Sequence, residues 1–290
     1  MRDYDLASTL STGQAFRWRL GPEGWEGVVQ GRWVRLSQPR PEVIVATTAL
    51  PFASWDWLRD YLQVDVEIGR ITGQFPADDH LSHAVEVCRG LRLLRQDHWE
   101  CLASFILSST KQILQIQQCV ELLCERLGES VAVPEGHAPV YAFPTAERIA
   151  SCTEAELRAC KIGFRAPYLL GTARRVVESK PHLGGLLEMA LPAARAELMS
   201  LPGVGRKVAD CALLFGYGFP TAFPVDVWIH KAIQQLYFPK RRANPRRLQR
   251  FVDTYFGPEA GYAQQYLFHY MRVTAGRNLP STHSPHEVQN

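Results

Sequence analysis

The sequence lacks the features of several protein classes. Its 290 residues contain no run close to the ~18 apolar residues that a membrane span needs, and its beginning lacks the basic and then apolar pattern of a secretory signal. The seven cysteines are odd in number and include no C-x-x-C pair, which argues against a disulfide framework and against a zinc or iron–sulfur centre. We therefore expect a globular protein with reduced thiols, no metal and no membrane association.

The charge is nearly balanced, with 32 basic and 29 acidic residues and a net charge of +3. Hydrophobic residues make up 46% and charged residues 21% of the chain, which excludes a strongly charged or disordered class. One stretch is uneven, because residues 240–250 carry six positive charges and no negative one. Such a run is usually a solvated loop, and contact with phosphates is the alternative.

Two architectures follow each other along the chain. Up to about residue 76, short β-rich runs separated by Gly and Pro predict a modest antiparallel sheet. From residue 77 to 275, apolar residues recur at helical spacing, and residues 276–290 have the composition of a loose tail. The sequence thus predicts the α+β class, with an N-terminal antiparallel β domain (1–76) followed by a mostly α-helical domain (77–275).

The segment most informative about function is 201–211, Leu-Pro-Gly-Val-Gly-Arg-Lys-Val-Ala-Asp-Cys. Gly203 and Gly205, on either side of Val204, allow a tight turn between two helices and the close approach of another backbone. The backbone N–H groups of this turn and of the next helix would form a small anion site that suits a DNA phosphate. Taken alone, the pattern is equally compatible with a simple connection between helices.

Two ionisable residues follow this turn. Lys207 lies in the first turn of the second helix, where the helix dipole disfavours a charged amine and so favours a nucleophile. Asp226, in Pro-Val-Asp-Val, is a good N-cap, a role that is usually only structural. The two are nineteen residues apart, so one helix and a return loop can bring them together. There the carboxylate would stabilise a cationic sugar and help to move protons.

The hairpin motif followed by Pro-Val-Asp-Val resembles the helix-hairpin-helix DNA glycosylases and, within them, the 8-oxoguanine DNA glycosylases. Further matches occur in the same order over most of the chain, at residues 13–18, 92–97, 163–166 and 261–268. The resemblance implies a bifunctional DNA glycosylase and abasic-site lyase of base excision repair. Such an enzyme needs no cofactor and acts on double-stranded DNA that contains a damaged base. We expect a monomer in the cytoplasm, associated with a bacterial nucleoid, or in a nucleus.

The resemblance also assigns roles to residues. The damaged nucleotide would rotate out of the duplex, the Lys207 amine would displace the base and form a Schiff base, and Asp226 would stabilise the positive sugar. The base pocket would consist of the backbone carbonyl of Gly13, which recognises the N7 hydrogen of 8-oxoguanine, Cys211 and Phe268 against the two faces of the base, and Gln264 on its Watson–Crick edge.

The sequence departs from this branch at the positions that would contact the cytosine opposite the damaged base. Thr110 and Lys111 replace two Asn residues, and Gln115 replaces an Arg. Losing that Arg removes a donor worth roughly 1–3 kcal/mol of base discrimination, so we predict relaxed opposite-base selectivity. Three further DNA-contacting positions are implied: Arg165, which matches the branch, Phe164, which replaces an aromatic wedge, and Trp228, which replaces a His.

Two alternatives remain open. The same chemistry could act on another oxidised or alkylated base, which the altered segment 110–115 favours. A non-catalytic DNA-binding protein could use the hairpin only to hold phosphate, but pure binding would need neither Lys207 nor Asp226 at these positions.

Overall fold

The structure is a computed structural model that describes residues 3–109, 112–240 and 243–274. Thr110 and Lys111, two of the predicted DNA contacts, lie outside the described residues, as does the predicted tail at 276–290.

The N-terminal part contains a four-stranded antiparallel sheet whose strands are neighbours in sequence order. Gly31, at φ +72°, forms the turn between the second and third strands. Gly27 faces the Trp18 ring so closely that a Cβ there would lie 2.7 Å from the ring. The predicted sheet is thereby confirmed. Its strands are β1 (Arg19–Gly21), β2 (Gly24–Val29), β3 (Arg32–Arg40) and β4 (Val43–Thr48).

Three short helices also lie in the first 76 residues: α1 (Leu6–Ser11), α2 (Asp56–Leu62) and α3 (Ile68–Thr72). Sequence analysis predicted only sheet and turns there. Helices of five to seven residues span less than two full turns, which leaves too few positions for a helical repeat to show. α1 is capped by Asp5, whose Oδ1 accepts a hydrogen bond of 3.0 Å from the Ser8 N–H.

The remainder of the described chain is mostly helical, as predicted. A small hairpin of β5 (Ser130–Val131) and β6 (Val140–Tyr141) interrupts it. No helix among the described residues is both long enough and apolar enough to cross a membrane. The helices are α4 (Asp79–Val87), α5 (His98–Leu107), α6 (Ile113–Leu127), α7 (Ala146–Ala150), α8 (Glu154–Leu157), α9 (Ala166–Val177), α10 (Leu191–Met199), α11 (Arg206–Ala212), α12 (Val227–Tyr237), α13 (Pro245–Tyr255) and α14 (Ala260–Thr274).

The segment between α1 and β1 ties the sheet to the helices. Phe16 belongs to the large helical core, with its ring centroid 5.3 Å from that of Phe105. The buried Gln14 amide donates to the Arg92 carbonyl and accepts from the Leu94 N–H, both at 2.8 Å. These contacts hold Gly13, the residue directly before Gln14, against the helical part.

Candidate active site

The predicted helix-hairpin-helix consists of α10, a tight turn and α11. Gly203 takes φ +73°, and a Cβ there would lie 2.6 Å from the Tyr168 Cβ, so only glycine fits this turn. Gly205 precedes α11 and has open space where a Cβ would be. Val204 is buried, and its N–H donates to the Leu201 carbonyl at 3.2 Å. An anion would therefore meet Gly205 and the first N–H groups of α11 and not the N–H of Val204.

Three ion pairs brace the hairpin, and one of them joins Arg206 to Asp210 within α11 at 3.5 Å. Arg195 of α10 donates to Asp210 of α11 at 2.6 Å, and the Asp210 side chain is only 1% exposed. Burial raises the pKa of Asp210, while the Arg195 guanidinium opposes this rise. Arg206 pairs with Asp253 of α13 at 2.9 Å. The turn is thus anchored to helices on both sides.

Lys207 points into the interior from the first turn of α11. Its Nζ donates a hydrogen bond of 2.8 Å to the Ser108 hydroxyl, just after α5, and lies 5.0 Å from the centroid of the Phe105 ring. Cys211, one turn further along α11, is also close to the amine. Burial raises the pKa of this thiol to about 12 against the opposing effect of Lys207, so Cys211 remains an uncharged thiol at neutral pH.

Asp226 caps α12, as predicted, because its Oδ1 accepts a hydrogen bond of 2.8 Å from the Ile229 N–H. Burial raises the pKa of Asp226, and the Ile229 N–H and the Lys207 cation oppose that rise. The lysine and the carboxylate that sequence spacing predicted to be neighbours therefore interact within one site.

A cavity of about 380 Å³ is lined by all the predicted catalytic and base-binding residues. This volume lies in the range of small-molecule pockets. Gly13 borders it with φ +77°, and a Cβ at Gly13 would lie 2.5 Å from the Ile113 Cδ1. Gln264 is 4% exposed, and among the described residues its Oε1 has no hydrogen-bond partner. The predicted residues that line the cavity are Gly13, Lys207, Cys211, Asp226, Trp228, Gln264 and Phe268.

The predicted contacts to the opposite base are arranged differently. The Gln115 Oε1 accepts a hydrogen bond of 3.1 Å from the Gln112 N–H and so caps its own helix, α6. Arg165 is 3% exposed, with its guanidinium carbon 4.2 Å from the centroid of the Phe164 ring. Phe164 itself is 57% exposed, as a wedge residue would need to be. Contact of Arg165 with a base would require this buried guanidinium to become exposed.

Ser108 and Arg272 are two polar residues of the cavity to which the sequence analysis assigned no role. Ser108, the hydrogen-bond acceptor of Lys207, had no signal, because it is 99 residues away in the chain. Arg272 follows Phe268 by four residues on α14, so helical spacing could have placed it on the same face. The described part of the chain contains no group of three or more His, Cys, Asp or Glu residues that could hold a metal.

This hairpin, with a lysine in its second helix and a carboxylate in the same base-sized cavity, defines the class of helix-hairpin-helix DNA glycosylases. Comparison with known families agrees, since the HhH-GPD superfamily of base excision DNA repair proteins matches residues 103–258. The N-terminal domain of 8-oxoguanine DNA glycosylase matches residues 1–102. The chain belongs to the 8-oxoguanine DNA glycosylase family. The family, fold class and enzyme class predicted from the sequence are confirmed.

Individual relatives span most of the chain. The N-glycosylase/DNA lyase OGG1 of Arabidopsis thaliana is 31% identical over 281 residues, which cover 91% of this chain and 76% of that protein. The N-glycosylase/DNA lyase of Saccharomyces cerevisiae is 31% identical and covers 80% of this chain and 68% of its own. The Clostridium acetobutylicum 8-oxoguanine glycosylase/lyase, solved with double-stranded DNA containing cytosine opposite 8-oxoguanine, has a TM-score of 0.87 and 30% identity over 94% of this chain and 93% of its own.

Proposed function

We propose that this enzyme excises 8-oxoguanine from double-stranded DNA and nicks the strand through a Schiff base on Lys207. The observation that carries the proposal is that Lys207 and Asp226 interact in one base-sized cavity that Gly13 also borders. Family membership and the substrates named for the relatives support the same lesion.

The reaction begins when the neutral Lys207 amine attacks C1′ of a nucleotide that has turned into the cavity. The bond from C1′ to the base breaks as the bond from Nζ to C1′ forms, and the base leaves with the electron pair and takes up a proton. Loss of protons from Nζ, breaking of the C1′–O4′ bond and protonation of O4′ produce the imine and a hydroxyl on C4′. Removal of a C2′ proton then expels the 3′ phosphate from C3′, and water hydrolyses the imine to free Lys207.

The side chains around the Lys207 amine suit these reaction steps. The Ser108 hydroxyl accepts one N–H of Lys207 at 2.8 Å, which orients Nζ and leaves its lone pair for C1′. The Asp226 carboxylate stabilises the positive charge that develops on the sugar as the base leaves. Both side chains line the same cavity as the amine, so neither needs to travel.

The walls of the cavity account for selection of the damaged base. The Gly13 carbonyl accepts from N7–H of 8-oxoguanine, whereas guanine presents a lone pair there and is repelled. Phe268 and Cys211 cover the two faces of the ring. The Gln264 Oε1, buried and without a partner among the described residues, accepts from the N1 and N2 hydrogens of the Watson–Crick edge.

The opposite base is selected weakly. Gln115 caps α6, and Arg165 stacks on Phe164, so neither is positioned as a ready donor to cytosine. We expect comparable excision of 8-oxoguanine opposite C and opposite A, measured under single-turnover conditions. A large preference for C would contradict weak selectivity while leaving the excision chemistry intact.

Borohydride trapping tests the central proposal. Wild-type enzyme and the variants Lys207→Gln and Lys231→Gln are incubated with duplexes that carry 8-oxoguanine opposite C. Lys231, on α12 beside the Trp228 ring, is the matched control for loss of a lysine. Covalent adducts are expected from wild type and Lys231→Gln but not from Lys207→Gln. An adduct with Lys207→Gln would disprove the assignment of the nucleophile, and adducts only with other lesions would disprove the substrate.

A further inference from the structure

Arg272 lies in the base cavity, although no step of the proposed reaction uses it. Its side chain lines the cavity together with Gly13, Asp226 and Phe268. Gln264, Phe268 and Arg272 follow one another at intervals of four residues on α14 and so share one face of the helix. The Arg272 guanidinium carbon lies 5.6 Å from the centroid of the Phe268 ring. The base-facing side of α14 therefore extends one turn beyond the residues with proposed base contacts.

The guanidinium is held next to Gly13. Its Nη1 donates to the Ser11 carbonyl oxygen at 3.2 Å, where α1 ends. The same nitrogen lies 3.9 Å from the position that a Cβ on Gly13 would occupy. The bond to Ser11 uses one of the five N–H groups of an arginine, a side chain that keeps its charge in proteins. One part of the cavity wall thus presents a carbonyl acceptor at Gly13 and a cationic donor beside it.

We propose that Arg272 is a specificity-determining residue that donates a hydrogen bond to the C8 oxygen of 8-oxoguanine while the Gly13 carbonyl accepts from N7–H. The inference rests on the proposed function and names a second recognition contact of the same site. N7–H and the C8 oxygen are adjacent on one edge of the damaged base, so an acceptor beside a donor matches both groups. Guanine has a lone pair at N7 and a C–H at C8, so it satisfies neither. Arg272 therefore adds a charged contact at C8, where guanine carries no acceptor.

DNA binding separates this role from a structural one. In the Lys207→Gln background, Arg272→Met keeps an unbranched side chain and removes the charge and the N–H donors. The affinities for duplexes with 8-oxoguanine or guanine opposite C are then compared. The preference for 8-oxoguanine should fall roughly 10- to 100-fold, the range for a hydrogen bond to a charged group. Arg70→Met, on the exposed side of α3, is the matched control and should leave the preference unchanged.

The proposal would be overturned if Lys207→Gln with Arg272→Met preferred 8-oxoguanine over guanine as strongly as Lys207→Gln alone. An equal loss of affinity for both duplexes would overturn it too. The second readout uses Lys207-containing enzyme on duplexes with a preformed abasic site, which has no base to recognise. Nicking there should be unchanged in Arg272→Met, whereas excision of 8-oxoguanine should fall. Parallel loss of both activities would show that Arg272 acts through Asp226 or by bracing the Ser11 turn.

Arg272→Lys guards against a folding defect. It keeps the positive charge near Asp226 and a donor for Ser11 but lacks the additional donors of the guanidinium. A selective, smaller loss of 8-oxoguanine excision is expected, and equal loss at the abasic site would contradict the proposal. If the proposed function itself were wrong, the wild-type enzyme would show no preference for 8-oxoguanine over guanine. This outcome is distinct from failure of the proposal for Arg272, in which wild type keeps that preference.

Discussion

Gly13 shows how one residue without a side chain can determine both a backbone shape and a binding wall. At φ +77°, an L-residue is strained whatever surrounds it. The Ile113 side chain also occupies the space that a side chain on Gly13 would need, since a Cβ there would lie 2.5 Å from the Ile113 Cδ1. Any side chain would therefore move either the carbonyl proposed to recognise the base or the first turn of α6.

Gly13→Ala should lower the unfolding free energy by about 1–3 kcal/mol and strongly reduce excision of 8-oxoguanine. Urea unfolding and single-turnover excision measure the two effects. Gly31→Ala is the matched control, because it has φ +72° but nothing within 4 Å of the added Cβ, so it should lose stability alone. Adding Ile113→Ala should recover part of the loss in Gly13→Ala. Identical behaviour of the two alanine variants would contradict the steric argument.

Burial of the Glu100 carboxyl makes the free energy of unfolding of the protein depend on pH. Burial raises the pKa of its carboxyl from 4.5 to about 7, and the Arg17 cation opposes the rise. Because the folded pKa lies above the unfolded one, the contribution of protonated Glu100 is present in full below pH 4.5 and is lost as the pH rises through about 7.

Glu100→Gln should therefore stabilise the protein at pH 8, by about 1–3 kcal/mol, and change little at pH 5. The measurement is urea unfolding of wild type and variant at both pH values. Glu125→Gln, at an exposed position of α6, should show no such pH dependence. The same difference at both pH values would contradict a raised pKa.

At the scale of elements, α12 joins structure to chemistry, because its N-cap is also the proposed catalytic carboxylate. Asp226 accepts from the Ile229 N–H at 2.8 Å and lines the cavity beside Lys207. A single substitution can separate these roles, since Asn caps helices about as well as Asp but carries no charge.

Asp226→Asn should unfold at the same urea concentration as wild type or slightly higher, because burial already raises the pKa of the carboxyl. Its excision rate should fall by about 100-fold or more. Asp226→Ala should lose the same activity and also about 1 kcal/mol of stability with the cap. Excision by Asp226→Asn at the wild-type rate would show that Asp226 only caps α12 and has no catalytic role.

At the scale of the whole molecule, the sheet and the helices share contacts that complete the site. Phe16 packs into the helical core against Phe105, and Gln14 bonds to the backbone of Arg92 and Leu94. Gly13 belongs to the first part of the chain and Lys207 to the second. The cavity therefore exists only when both parts are folded together.

We expect the two parts to unfold as one cooperative unit. Five of the seven tryptophans lie before residue 77, so tryptophan fluorescence follows mainly the sheet. Far-UV circular dichroism follows mainly the helices. The two urea transitions should coincide, and a fluorescence transition at clearly lower urea would contradict the expected coupling.

Several predictions from the sequence concern residues in local motifs. The glycines of the hairpin, Lys207 in the turn after it and the Asp226 cap are each recognisable within a few positions, because backbone conformation and capping are local properties. The alternating pattern likewise predicted the sheet. The domain boundaries and the monomeric state stay predictions.

Only the tertiary structure decided how these motifs meet. Lys207 bonds to a serine 99 residues away, and Arg272 to a carbonyl 261 residues away. Gln115 replaces a residue of the family motif and Arg165 matches one, yet the first caps a helix and the second stacks on an aromatic ring. The sequence by itself determined the fold class, the hairpin and the pair of residues proposed to react. Packing decided the cavity wall that is proposed to recognise the base, because partners so distant in the chain are brought together only by the shared core.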